Sequence, residues 1–224
     1  MMELISRSRF PSVCRGLTAL VVCLSVVGCS SILPGSGRKP PQLYELTPKS
    51  TFAPGLPKIR AQLLVETPSA SAGLRSSRIA IKLQPTTLDY FADSEWTDLA
   101  TNLVQTLLIE SFDNSGRITG IEREGTGLRT DYLLKSDLRE FQAELFKGQQ
   151  ARIRVRVHVR LVRWDNRDIL ASEKFEATVQ LSDRKIESIV DGFDVALGKV
   201  LKRIVGWSLK TMHRHNGGRP LSRF

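Results

Sequence analysis

Cysteine, histidine and large aromatic residues are all scarce. The 224 residues include 3 cysteines, 3 histidines, 3 tryptophans and 3 tyrosines. Cys14 and Cys23 lie in an N-terminal stretch that reads as a removable leader. Beyond that stretch the chain holds Cys29 alone, so no intramolecular disulfide is expected and stability must come from packing. His158, His213 and His215 are too dispersed for a metal centre, and the last two suggest at most a weak adventitious site. No apolar run reaches the ~20 residues a membrane-spanning helix needs. Acidic residues are also in deficit, with 33 Lys and Arg against 23 Asp and Glu, for a formal net charge of +10.

Catalytic patterns are missing as well. There is no Gly-x-Ser-x-Gly nucleophile turn. The glycine-rich stretch from Gly120 through Gly125 to Gly127 has the outline of a phosphate loop but lacks the lysine that would reach the phosphates. Carboxylates such as Asp137 and Glu140 are scattered, with no pair set apart for acid–base work. The sequence therefore offers no catalytic residues and no cofactor or metal ligands.

The informative features begin at the N-terminus. Arg7, Arg9 and Arg15 precede an apolar run from Leu17 to Val27 broken only by Thr18 and Ser25, and small Gly28 then precedes Cys29. A basic start, a short apolar run and a small residue define a cleaved export signal. The run Leu24-Ser25-Val26-Val27-Gly28-Cys29 resembles the bacterial lipobox, which implies cleavage before Cys29 and acylation of its thiol. Ser30, where an aspartate would retain a lipoprotein at the inner membrane, favours the outer membrane, facing the periplasm. A strongly basic cytosolic chain would suggest nucleic acid. Export turns the expected acidic partners into phospholipid headgroups, lipopolysaccharide or another envelope protein.

Residues 29–41 are rich in Gly, Ser and Pro and read as a tether; 42–212 read as one domain and 213–224 as a frayed tail. Strands are expected at 42–46, 59–66, 78–83, 117–121, 132–141, 152–164 and 169–181. Asp93 or Ser94 is expected to cap a helix carrying Trp96, Leu99, Leu103, Leu107 and Leu108, which Asn114-Ser115-Gly116 ends. Ser182 or Asp183 is expected to cap a second, with its apolar stripe from Ile186 to Ile204. Gly192 and Gly198 weaken it locally. The fold class is α+β: a mostly antiparallel sheet covered on one face by two amphipathic helices.

The clearest strand alternates without a break. Ile153, Val155, Val157, Val159 and Leu161 take one side, and Arg152, Arg154, Arg156, His158 and Arg160 the other. Four arginines on one face need anions or solvent between them. Three readings are open: pairing with Glu173 and Glu176 on the returning strand, docking to lipid phosphate or an acidic partner, or protection of an edge. As a solvated face it would tolerate Arg154 and Arg156 becoming glutamine with little change in melting. The hairpin turn at Asp165–Asp168 leaves the pairing register open.

Several segments together resemble the auxiliary lipoprotein component of ABC-type transport systems, to which the paraquat-inducible C-type lipoproteins belong. They are Tyr44-Glu45-Leu46, Leu64 to Pro68, Ser77 to Ile81, the run from Leu88 through Tyr90 to Trp96, and Leu103 to Leu108 with its exit Phe112 to Arg117. The resemblance implies a helix–sheet fold and a scaffolding or docking role without catalysis. It implies as partners an ABC permease, an ATPase and a mammalian-cell-entry substrate-binding protein, in a system moving lipids across the Gram-negative envelope. Tyr90 and Trp96 are docking candidates, or they lock the helix start onto the sheet. An outer-membrane lipoprotein assisting lipopolysaccharide or β-barrel insertion is the alternative.

Overall fold

The alternating stretch becomes β8 in the computed structural model, which describes residues 39–125, 127 and 129–216. In chain order the elements are β1 (Gln42–Tyr44), β2 (Ile59–Val65), β3 (Ser69–Ala70), β4 (Arg78–Lys82), β5 (Asp89–Trp96), α1 (Ala100–Ser115), β6 (Ile118–Arg123), β7 (Tyr132–Glu144), β8 (Arg152–Arg163), β9 (Ile169–Gln180) and α2 (Ile186–Asn216). The class is α+β, as the sequence pattern indicates. Branched aliphatic residues at every second position favour an extended chain and supply one dry face. Ile153, Val155, Val157, Val159 and Leu161 are each at most 1% exposed.

β7, β8 and β9 form the expected antiparallel meander. Gly148, at φ 73°, turns the first hairpin, where the left-handed backbone suits glycine. In the second, Leu161 lies opposite Ala171 and Arg160 opposite Ser172, which fixes the register that the turn sequence leaves open. The other edge of β7 is shared. β2 pairs with its start, β3 with its middle and β4 with its end, all three in parallel. β6 extends the sheet beyond β2, and β5 then β1 extend it beyond β4. The long ladders are antiparallel and the short pairings mostly parallel.

The 89–96 segment departs from expectation. It is a strand, not a helix start: β5 runs antiparallel to β4 and parallel to β1. Asp93 sits at φ 51°, within a strand whose pairing shifts register, so it bends the chain instead of capping a helix. The Trp96 amide donates to the Ser77 carbonyl at 2.7 Å. The helix opens only after Asp98, whose carboxylate accepts the Leu99 amide at 2.6 Å and the Asn102 side chain at 3.0 Å. Leu99 is left exposed. The helix ends, as expected, at Gly116, in the left-handed conformation.

α2 is longer than expected. It runs to Asn216, so His213, Arg214 and His215 form its last turn instead of a tail. Asp183 accepts the Lys185 amide at 2.9 Å just before its start. Its buried stripe packs on β8 and β9, and also meets α1. Gly192 is a point of close approach. A Cβ there would sit 2.5 Å from Leu181 Cδ2 and 2.7 Å from Ile153 Cγ1, so the absent side chain lets helix and sheet touch.

Candidate functional site

The outward face of β8 comes together because β7 carries one extra residue. Leu138 lies opposite Val157 and Glu140 opposite Arg156, leaving Arg139 with no place in the ladder. Such a bulge changes which face later residues take. Before it, Leu134, Ser136 and Leu138 point inward, opposite Leu161, Val159 and Val157. After it, Phe141 and Ala143 point inward, and Glu140, Gln142 and Glu144 join the arginines. Carboxylates that look scattered along the chain are thereby lined up with three cations.

The result is a ladder of ion pairs. Arg152 contacts Glu144. Arg154 lies 3.0 Å from Glu176, 3.3 Å from Glu140 and 3.5 Å from Glu144. Arg156 reaches Glu140 at 2.6 Å. The Glu144 side chain is only 5% exposed and that of Glu140 16%, against about a third for the arginines. The expected partner Glu176 is therefore present, joined by Glu140 and Glu144. Glu173 is not part of the set, because the register puts it opposite Val159 on the other face. Arg160 is exposed, lies beside Lys135 and Ser172, and has no carboxylate partner among the described residues.

His158 sits between these groups. Arg139 donates to its Nδ1 at 3.3 Å, and its Nε2 lies 2.8 Å from the Ser172 hydroxyl. Burial, then the charges of Arg139 and Arg160, hold its pKa below the usual histidine value, with Asp137 opposing.

Trp96 and Tyr90 separate. Trp96 is 1% exposed and packs against Phe193 edge-on at 5.2 Å and against Phe141 at 5.8 Å. It offers no surface to a partner, and it joins the sheet to α2 instead of fixing the start of α1. Tyr90 is half-buried: its hydroxyl donates to the Gly73 carbonyl at 3.1 Å, and the Arg78 guanidinium stacks on its ring at 3.9 Å. Cys29 lies outside the described residues. Among the described residues no group of three His, Cys, Asp or Glu side chains is placed to hold a metal, and no helix is long and apolar enough to cross a membrane.

Known proteins agree with this architecture. The crystal structure of protein XCC0632 from Xanthomonas campestris superposes with a TM-score of 0.75 at 26% identity, covering 79% of this chain and 99% of that one. The hypothetical protein CT253 from Chlamydia trachomatis shares the fold alone, with a TM-score of 0.50 at 8% identity over 69% of this chain and 98% of that one. An uncharacterized protein of Bradyrhizobium diazoefficiens is 27% identical over 166 residues. That match spans 74% of this chain but only 44% of the relative. The family model described as the ABC-type transport auxiliary lipoprotein component matches residues 42–205. Those residues take in every strand and most of both helices, and the chain belongs to that family.

Proposed function

We propose that the chain is the non-catalytic lipoprotein of a mammalian-cell-entry transport system that moves lipids across the Gram-negative envelope. The observation that carries this reading is the family match over 42–205, which covers almost the whole described domain. The leader supports it: acylated Cys29 holds the domain at the outer membrane, facing the periplasm, and 30–41 give it reach. An ABC permease, an ATPase and a mammalian-cell-entry substrate-binding protein are the partners. The balanced ladder around Arg154 serves as a polar face for a protein partner, which Arg160 extends with a further cation. No nucleic acid is involved.

Two measurements test the reading. Cys29→Ala should abolish fatty-acid labelling and leave the leader uncleaved, because the thiol is the acyl acceptor; normal labelling would remove the anchor. Cross-linking in intact cells should capture the full chain with a permease, an ATPase and a mammalian-cell-entry protein. Capture of a β-barrel protein alone would overturn the transport role in favour of outer-membrane assembly.

A further inference from the structure

The outward face of β8 and β9 changes character between the ion-pair ladder and the turn that joins the two strands. Past Arg156 the outward column on β8 is His158, Arg160 and Val162, with Lys174, Ser172 and Ile169 beside them on β9. Arg160 and Lys174 are exposed and have no carboxylate partner among the described residues. Lys135 and Arg139 on β7 are paired with Glu66 and Asp137, at 2.9 Å each. The band therefore carries surplus positive charge from Arg160 and Lys174. Beyond it the surface turns apolar. Val162 is covered, but Ile169 is 60% exposed and Trp164 37%, and these two crown the hairpin.

Hydrogen bonds hold the tip in place. The Trp164 amide donates to the Asp131 carbonyl at 3.0 Å, and the Arg163 amide to the Asp168 carbonyl at 2.9 Å. Arg167, at φ 62°, lays its guanidinium over the Trp164 ring, 3.9 Å from the centroid. The carboxylates of the turn serve its own donors. Asp165 accepts the Asn166 amide at 2.7 Å, and Asp168 accepts the Asn166 side-chain amide. Arg163 and Arg167 balance the charge of Asp165 and Asp168. The tip is thus neutral, aromatic and aliphatic, with the surplus cations set back from it.

That spacing identifies the partner. Arg160 stands two residues, or ~7 Å, behind Val162 and its neighbour Ile169. The headgroup layer of one bilayer leaflet is ~5–8 Å deep. Apolar groups one such depth beyond a cationic band match a membrane surface, where tryptophan settles among the headgroups and basic side chains meet phosphate. A protein interface has instead an apolar centre with a polar rim around it. The proposed tether does not prevent the contact. The registers place the start of β1 roughly 25 Å from the tip along the strand direction. Residues 30–41 reach ~40 Å when extended.

We propose that the tip of the β8–β9 hairpin docks on the anionic bilayer surface that holds the acyl chains. Trp164 and Ile169 enter the boundary between headgroups and acyl chains, and Arg160 and Lys174 lie against the phosphates. The proposal rests on the acylation of Cys29 and adds an orientation. The domain stands on its hairpin, with the ladder from Arg152 to Arg156 clear of the headgroups. The contact needs little affinity of its own, because the anchor keeps the tip at high local concentration.

The acylated full chain in vesicles of phosphatidylethanolamine and phosphatidylglycerol tests the docking. Flotation reads the anchor, and quenching of tryptophan emission by brominated acyl chains reads the tip. Of the 3 tryptophans, Trp96 lies in the core and Trp207 packs edge-on against Phe175, so Trp164 should give the response. Trp164→Phe should remove the quenching. Ile169→Asp should cut it roughly threefold with flotation unchanged. Arg160→Glu combined with Lys174→Glu should remove about half of it, and about 0.5 M NaCl should do the same to the unaltered chain. Flotation without quenching overturns the docking in favour of a protein partner for the tip and leaves the anchor standing. A chain that does not float overturns both. Quenching that persists in Trp164→Phe, or is indifferent to Ile169→Asp, overturns the tip as the point of contact. Quenching of equal strength on vesicles of phosphatidylcholine alone overturns the part given to Arg160 and Lys174.

Discussion

On one face of β8, five branched aliphatic side chains lie at most 1% exposed beneath α2. On the other, three arginines about a third exposed lie against three glutamates, two of them nearly covered. Adjacent residues of one strand thus serve opposite chemistries, and each face fails in its own way. The inner face depends on shape, because apolar contact has no direction and a missing group leaves a void. The outer face depends on number, because each covered carboxylate needs its cation and removing one side strands the other.

The largest break comes from the inner face. Phe193 is fully buried against Trp96 and Phe141, with ring centroids 5.2 and 4.8 Å away. Phe193→Ala should cost ~3–5 kcal/mol in urea unfolding, the range for truncating a core aromatic. A loss below ~1 kcal/mol would mean that α2 resettles and that the dry face is not specified by shape.

The outer face should break less, but measurably. Neutralising Arg154 and Arg156 together leaves Glu140 and Glu144 short of partners while they stay mostly covered. The double change to glutamine should cost about 1–3 kcal/mol, reduced from a fully buried pair by the partial exposure of the arginines. This replaces the solvated-stripe expectation of an almost unchanged melting temperature. Adding Glu140→Gln should restore part of the loss, which a purely steric effect would not allow.

The smallest effect sharpens the comparison at its edge. His158 has a lowered pKa when folded, so between that value and the unfolded one, ~6.5, the unfolded chain binds more protons. Stability from this group is complete above the unfolded pKa and is lost as pH falls through the folded one. His158→Gln should make the drop in melting temperature between neutral and mildly acidic buffer slightly shallower. An identical drop would show that the imidazole takes up its proton alike in the folded and unfolded chains, against the lowered folded pKa.

Legibility in the sequence divides along the same line. β8, β9 and the body of both helices are legible because their apolar residues keep one period throughout. β5 is not: Asp89-Tyr90-Phe91-Ala92-Asp93-Ser94-Glu95-Trp96 bends at Asp93 and keeps no clean alternation. The carboxylate half of the site is hidden by parity. Leu134, Ser136 and Leu138 point inward at even positions, whereas Phe141, Ala143 and Leu145 are buried at odd ones. That switch is a readable mark of the bulge, and it assigns Glu140, Gln142 and Glu144 to the arginine face. Gly192 reads as a weak point in the helix, since a sequence does not show which glycine faces another element at close range.

One feature of the sheet governs the order in which the molecule can assemble. Among the described residues, the sheet joins the groups β1-β5-β4 and β2-β6 through the edge of β7. A chain made from its N-terminus yields both groups, and α1, before the residues that join them exist. Those two fragments expose unpaired strand edges and apolar surface until Tyr132–Glu144 appears. The β7–β8–β9 meander closes through near neighbours and forms readily, whereas the parallel pairings to β7 must close longer loops first. The earliest strands therefore wait longest for their partners, so a chaperone that shields residues 42–125 would act in the interval when the chain is most prone to aggregate.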